Sequence, residues 1–154
     1  MKSSARARFV ASVWWASAFA VGPGIAQSTG SVTSTPVAFG SYNALDARAS
    51  DSVGSVTFNS TGSSPLSIML SAGRAAGFSP RHMSGGSCHL GYNLYLDAAR
   101  TTIWGDGTGG TAFYTSANSA AGQNVVVSVY GRIPARQNVA EGSYADDLLV
   151  TLEF

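Results

Sequence analysis

The chain has 154 residues, of which 11% are charged, and its net charge at neutral pH is +1. This length is enough for one domain of ordinary size, and the single cysteine, Cys88, excludes an internal disulfide.

The amino-terminal segment has the pattern of a secretory signal peptide. Three basic residues come first, an apolar run follows over residues 9–20, and Gly22-Pro23 then breaks any helix. About a dozen apolar residues fall short of the ~20 needed to span a bilayer. We therefore predict that residues 1–26 are removed, with cleavage after Ala26 or, alternatively, after Ala20. In this prediction, the chain contacts the membrane only through this segment, during export.

The predicted mature part, residues 27–154, is slightly acidic. It keeps six of the nine basic residues and all eight acidic ones, which gives a net charge of −2. Its six arginines are scattered along the chain, whereas phosphate-binding proteins cluster their cations on one face. Nucleic acid is therefore not an expected partner.

Short runs with alternating apolar and polar residues recur through residues 27–154. Clusters of Gly, Ser, Asn, Asp and Pro separate these runs, as in an all-β sandwich or barrel. We predict strands at Pro36–Phe39, Ser55–Asn59, Leu66–Ser71, Leu90–Leu96, Ala112–Thr115 and Val125–Val129. The final predicted strand places Leu148, Val150, Leu152 and Phe154 on one face, which is the pattern of a half-buried strand.

The run WGDGTGG, residues 104–110, has the spacing G-x-G-x-x-G of a dinucleotide-binding loop. Such a loop needs a following helix, and the residues after Gly110 favour a strand. Gly107 and its neighbours are interpreted instead as positive-φ residues in a tight connection, and Asp106 as a cap of that turn. One carboxylate is too few for calcium.

Chemically reactive side chains are few. Cys88 and His89 are adjacent, so in a strand their side chains leave opposite faces and cannot form a nucleophile and base pair. Together with His82 they are interpreted as a thiol and solvated imidazoles. We expect no catalytic residues, no cofactor and no metal site.

Two long stretches, Leu90–Gly110 and Val129–Phe154, resemble the spore coat protein U domain family, which includes subunits of archaic chaperone-usher pili. Shorter matches at Phe39–Tyr42, Leu70–Gly73 and Ser79–Met83 follow the family's order. The resemblance covers Val37 to Phe154.

The resemblance implies an exported, non-catalytic immunoglobulin-like β-sandwich that lacks its final strand. It also implies partners: a periplasmic chaperone, an outer-membrane usher and other pilus subunits, with passage through the periplasm to the cell surface. A role in adhesion or biofilm belongs to the same expectation. A neighbouring polypeptide would complete such a sheet by β-strand addition.

The resemblance also suggests roles for individual residues. Val150, Leu152 and Phe154 are hypothesised to line the acceptor groove for the added strand. Tyr144 is expected to be a structural tyrosine corner before the last strand. Trp104 is expected to cover one end of the core.

The chain departs from the family in two respects. If Val32–Phe39 forms the first strand, Gln27–Ser31 spans at most ~18 Å and holds no large apolar side chain, so it cannot act as a donor strand. Two cysteines common in the family are absent, while Cys88 has no family counterpart. These departures suggest a subunit that accepts a strand from a neighbour but is a poor strand donor, such as a terminal subunit of a fibre. A subunit that does not polymerise, or a degenerate gene copy, would show the same departures.

A second hypothesis is a self-contained extracellular binding module, for carbohydrate or as an adhesin. It would use exposed Tyr and Trp side chains of the Leu90–Gly110 region.

Overall fold

A computed structural model describes residues 4–12, 30–60, 64–119 and 121–153, which form ten β-strands and no helix. The strands are β1 (Ser4–Ser12), β2 (Gly30–Thr35), β3 (Gly40–Asn43), β4 (Ser50–Ser60), β5 (Ser64–Leu70), β6 (Arg81–Gly85), β7 (Cys88–Tyr95), β8 (Tyr114–Ser119), β9 (Asn124–Ile133) and β10 (Ser143–Glu153). Over these residues, no helix is available that could cross a membrane. The fold is all-β, as predicted, and has the strand arrangement of an immunoglobulin-like sandwich.

The first sheet has the strand order β2-β4-β9-β7. Strand β4 lies between β2 and β9. It pairs antiparallel with β2 from Gly30↔Ser60 to Thr35↔Ser55 and with β9 from Ser50↔Ile133 to Asn59↔Asn124. Because all four strands come from residues 30–133, this sheet is complete within the predicted mature chain.

The second sheet is built around β10. Its later residues pair antiparallel with β5, which in turn pairs with β8. Its earlier residues contact β6 at Ala145↔Ser84 and, on the opposite side, run parallel to β1. Strand β1 then pairs antiparallel with β3. Part of this sheet therefore comes from the segment that the sequence predicts to be cleaved.

Strand β7 joins the two sheets. Its first residues pair with β6, and Asn93, Leu94 and Tyr95 pair with β9. Alternation along the strands sends one side chain in two into the space between the sheets. The largest fully buried apolar side chains are Trp104, Tyr42, Tyr92, Tyr144, Phe58, Leu66, Ile68, Met83, Leu90, Leu94 and Ile133.

The structure corrects the predicted strand at Pro36–Phe39. This segment is not a strand, because here the chain crosses from the first sheet (β2) to the second (β3). Proline has no amide hydrogen for a ladder, which favours such a crossing. Val37 and Phe39 are nevertheless buried, so the apolar residues of this segment indicate burial in the core and not a strand.

Other elements also differ from prediction. Ala112 makes only an isolated bridge to Trp104, and β8 begins at Tyr114. Strand β6 was not predicted, because a charged residue, Arg81, occupies one of its inward positions. The predicted strands at residues 55–59, 66–71, 90–96, 125–129 and 148–154 fall within β4, β5, β7, β9 and β10, apart from their end residues.

Candidate strand-acceptor site

One position in the second sheet lies between β10 and β3, and β1 occupies it. Along β10 the parallel register runs from Arg6↔Ser143 to Ser12↔Leu149. Along β3 the antiparallel register runs from Ser4↔Asn43 to Ala7↔Gly40. The site is thus a slot for one extended strand, with backbone hydrogen-bonding groups on both walls.

Strand β10 presents an alternating face to the interior. Tyr144, Asp146, Leu148 and Val150 are buried, while Leu149 is 43% exposed. This is the alternation that the sequence predicts for the last strand. The inward-facing row of β10, which is apolar except for Asp146, therefore lies along one side of the slot.

Two of the three residues hypothesised to line the groove, Val150 and Leu152, lie at the end of β10. Val150 is buried and pairs with Leu70 of β5, and Leu152 is half-buried and pairs with Ile68. Phe154 lies outside the described residues. The pairing with β1 stops at Leu149, so the structure places Val150 and Leu152 just beyond the paired part of the slot.

An apolar cavity of about 10 Å³ lies behind Leu148 and Val150, between the two sheets. Its apolar lining comes from both sheets: Val37, Val56, Leu70, Leu94, Val129, Leu148 and Val150. This volume is about that of one water molecule, and an apolar cavity of this kind stays dry. The core is therefore not completely filled next to the apolar row of β10.

The wall formed by β3 is held independently of β1. Tyr42 is buried, its hydroxyl donates to the Pro134 carbonyl (2.9 Å), and it accepts from the Gln137 amide (2.8 Å). Gln137 is in turn bonded through its side-chain amide to the backbone of Gly91 in β7. These contacts fix β3 to the body of the domain.

Tyr144 fixes the start of β10. It is 1% exposed and its hydroxyl donates to the Ala140 carbonyl four residues upstream (2.8 Å), the geometry of a tyrosine corner. Its ring lies against Gly85, where a Cβ would come within 2.7 Å of two ring carbons. A glycine is therefore required at the end of β6.

Asp146 anchors the middle of β10. It is fully buried, and its carboxylate accepts from the Tyr92 hydroxyl (2.7 Å) and from the amides of Arg74 and Asp147 (both 3.0 Å). Burial, followed by the charge of Asp146 and its hydrogen bond, raises the pKa of Tyr92 above the ordinary tyrosine value. The tyrosine stays neutral and keeps donating. Both walls of the slot are thus set by residues after position 30.

A second buried polar group, Arg81 of β6, ties the loop after β5 to the sandwich. Its guanidinium donates to the carbonyls of Ser71 (2.9 and 3.0 Å) and Trp104 (2.6 Å) and to the side chain of Asn93 (2.8 Å). It lies 4.9 Å from the ring centre of Phe78. Burial lowers the pKa of Arg81 to about 10, so it remains charged at neutral pH.

The glycine-rich connection between β7 and β8 holds a buried Trp104. Its indole nitrogen donates to the Ile68 carbonyl (2.9 Å). Asp106 accepts from the amide and hydroxyl of Thr108 (2.9 and 2.6 Å), and these hydrogen bonds lower the pKa of its carboxyl. Gly107 has φ +88°. The loop is a turn, followed by the strand β8 and not by a helix.

Comparison with known proteins decides the family. The profile of the Spore Coat Protein U domain matches residues 16–151. The chain belongs to this family. A curated relative is Protein U of Myxococcus xanthus, 39% identical over 67 residues, which are 43% of this chain and 35% of that protein.

Among solved structures, a chain in the crystal structure of the CsuC-CsuE chaperone-tip adhesion subunit pre-assembly complex is similar. That complex comes from archaic chaperone-usher Csu pili of Acinetobacter baumannii. The match has a TM-score of 0.60 at 18% identity and covers 83% of this chain. It supports the immunoglobulin-like fold. The chain spans 40% of that matched chain and about a third of Protein U.

Sequence reasoning missed two residues that shape the site in this spore coat protein U domain. Arg81 and Asp146 were not singled out, because charged residues are usually placed on the surface. A signal was present: Arg81 alternates with the apolar Met83, and Asp146 alternates with Tyr144 and Leu148. A charge on the apolar face of a strand indicates a buried polar network.

Arg132 of β9 pairs with a carboxylate of β4. Its guanidinium donates to both oxygens of Asp51 (2.8 Å each), its partner across the β4–β9 ladder.

The structure exposes fewer aromatic side chains than the binding-module hypothesis needs. Trp104 and Tyr92 are 0% exposed, so neither offers the exposed ring that this hypothesis requires, and Tyr95 is half-buried. Over the described residues, no group of three or more His, Cys, Asp or Glu side chains is placed to hold a metal ion.

Proposed function

We propose that the protein is an exported, non-catalytic structural subunit of a chaperone-usher type surface pilus or coat. In this proposal, another polypeptide supplies the strand between β10 and β3. The observation that carries the proposal is the origin of β1: the strand in that slot comes from residues 4–12, inside the segment predicted to be removed on export. The mature domain would then have walls but no central strand.

The loss of β1 would leave two open edges. Seven residues of β10 and four of β3 pair with β1, and their backbone groups would face solvent. If about four large apolar side chains also lost their cover, at ~1.5–3 kcal/mol each, the deficit would be roughly 6–12 kcal/mol. A typical domain has about 5–15 kcal/mol of stability in total. The mature subunit should therefore depend on a partner strand.

The proposed partners act in sequence. A periplasmic chaperone would fill the slot first, an outer-membrane usher would bring subunits together, and another subunit would then replace the chaperone. Membership of the Spore Coat Protein U domain family and the fold similarity to a chaperone–subunit complex support this assignment. The final location would be the cell surface, with a role in adhesion or biofilm.

The mature chain is proposed to receive a strand without giving one. Strand β2 is paired with β4 throughout Gly30–Thr35, so Val32 belongs to the domain's own first sheet. The short segment Gln27–Ser31 contains no large apolar residue that could fill a neighbour's groove. These features fit a terminal or non-polymerising subunit.

The decisive experiment compares residues 27–154 alone with the same chain mixed with a family member that has an intact amino-terminal donor strand. We expect the isolated chain to aggregate through its open β10 and β3 edges, and the mixture to give a stable pair in which this chain only receives a strand. The matched control is the same donor with its alternating apolar residues changed to serine, which should not rescue. Cooperative unfolding of the isolated monomer above ~60 °C would contradict the proposal, because that is the stability of a complete domain. Long homopolymers of this chain would also contradict it.

A further inference from the structure

The two histidines of the chain lie side by side on the outer face of the sandwich. His82 is in β6 and His89 is in β7, and the antiparallel register pairs Ser84 with His89 and His82 with Gly91. Residues 82 and 84 face the same side, as do 89 and 91, so both imidazoles share that face. Their ring centres are 6.0 Å apart and the ring planes are inclined by 48°.

The residue opposite His82 is a glycine. Gly91 has no side chain of its own between the rings, and Gln137 lies over it: Gln137 Oε1 is 2.9 Å from where a Cβ would stand, and Gln137 bonds to both the amide (2.8 Å) and the carbonyl (2.7 Å) of Gly91. On the inner face, Met83 and Leu90 are paired and fully buried. The backbone that carries the two imidazoles is therefore held rigidly before any ligand arrives.

The separation of the rings suits a shared metal ion. With metal–nitrogen bonds of ~2.0–2.1 Å, two imidazole centres on one ion lie about 5 Å apart at a tetrahedral angle and about 6.4 Å apart when linear. The observed 6.0 Å falls inside this interval. About 0.4 Å of side-chain movement gives the trans arrangement of a tetragonal ion such as Cu²⁺, and less than about 1 Å gives the tetrahedral angle. His82 is half-buried and His89 is exposed, so an ion reaches both from solvent.

We propose that His82 and His89 form a two-histidine binding site for a divalent late transition metal ion, with Cu²⁺ bound most tightly. Imidazole nitrogen suits Cu²⁺, Ni²⁺ and Zn²⁺, and affinity rises toward Cu²⁺ in this series. Because the described residues offer no third His, Cys, Asp or Glu at this place, water fills the remaining positions. The ion is consequently exchangeable. Cys88 takes no part, since it points to the opposite face of β7.

The test is titration of the full chain with Cu²⁺ alone, followed by calorimetry and by electron paramagnetic resonance. Coupling to two nitrogens is expected, and His82→Ala or His89→Ala should each weaken binding at least about tenfold, because losing a ligand costs more than losing an outer-shell partner. Zinc should shift the NMR signals of both imidazoles together, and these are the chain's only two.

Three further variants make the test specific to the two histidines. Ser84→His adds a third imidazole on the same face, opposite His89, and should tighten binding at least about tenfold. The double variant His82→Ala/His89→Ala measures binding at the terminal amine and elsewhere, and Cys88→Ser removes the thiol. The proposal is overturned if the double variant binds Cu²⁺ as tightly as the parent, if only one imidazole responds to zinc, or if Ser84→His binds no better.

Discussion

The two sheets of the sandwich differ in what completes them. In the first sheet, β4 is bonded on both sides by β2 and β9, all from residues 30–133. In the second, the strand between β10 and β3 is β1, from residues 4–12. The first sheet keeps all its strands after the predicted cleavage, and the second does not.

This difference separates two requirements of the fold. The walls of the slot are positioned by buried polar contacts within the later chain, through Tyr42 on β3 and through Tyr144 and Asp146 on β10. The strand between those walls supplies backbone pairing and cover for the apolar row. A domain built in this way can present a shaped slot and still need another chain to be stable.

The largest expected effect comes from removing residues 1–26. In hydrogen exchange, amides of β10 and β3 should then exchange more than about a hundredfold faster, because their edges lose their partner, whereas β4 and β9 amides change far less. Adding a donor strand should restore protection along β10. Equal loss of protection in both sheets would show that the comparison is wrong.

The second largest effect is expected for Arg81→Ala, which acts on the buried network. It removes the donor from the carbonyls of Ser71 and Trp104 and one of two donors from Asn93 Oδ1. Since each unsatisfied buried acceptor costs ~1–3 kcal/mol, we expect a loss of about 3–5 kcal/mol in the free energy of unfolding. Arg74→Ala is the matched control. Its pair with Asp147 is exposed, so a loss of no more than ~1 kcal/mol is expected by denaturant titration. Similar losses for both arginines would contradict this assignment.

A smaller effect is expected for Tyr92→Phe, which removes the hydroxyl that donates to Asp146. Hydrogen bonds to charged groups contribute about 1.5–3 kcal/mol, against ~0.5–1.5 kcal/mol for the neutral bond that Tyr144→Phe would remove.

The raised pKa of Tyr92 also predicts a pH dependence for this contribution. The contribution is fully present below about pH 10, the unfolded value, and is lost as pH rises above it. Unfolding titrations at pH 8 to 11 should show a shallower alkaline decline for Tyr92→Phe than for the parent. An unchanged decline would exclude Tyr92 as its source.

The smallest effect is expected in the complete sheet, for Asp51→Asn. The hydrogen bond from Arg132, and then the charges of Arg100 and Arg132, lower the pKa of Asp51. The contribution is therefore present at neutral pH and is lost as pH falls below about 4. Because the pair is partly exposed, the effect at neutral pH should be under ~1 kcal/mol and should shrink in high salt. A salt-independent loss would point to packing instead of charge.

The sequence allowed the strand faces of β9 and β10 to be predicted, because their alternation is strict and local. It also allowed the glycine-rich turn to be distinguished from a nucleotide loop, since Gly107, Gly109 and Gly110 all have positive φ and a strand follows. Residue alternation predicts which side chains share a face. It does not predict which strands become neighbours.

The remainder depends on contacts between distant residues. The crossing at Pro36–Phe39 was read as a strand, since a buried crossing segment has the same apolar composition as a strand. The burial of Arg81 depends on three acceptors that lie 10, 12 and 23 residues away, so no local window of sequence contains its network. The pairing of β1 with β10 joins the two ends of the chain and cannot be read from either end alone.

The contact between β6 and β10 has a mechanical consequence. The two strands share a single register pair, Ala145↔Ser84, whereas ten register pairs join β4 and β9. If the protein bears tension along β10 after residues 1–26 are removed, the load reaches the body of the domain mainly through β5 and the side-chain anchors of Tyr144 and Asp146. Under force, β10 should therefore detach before the β4–β9 ladder shears.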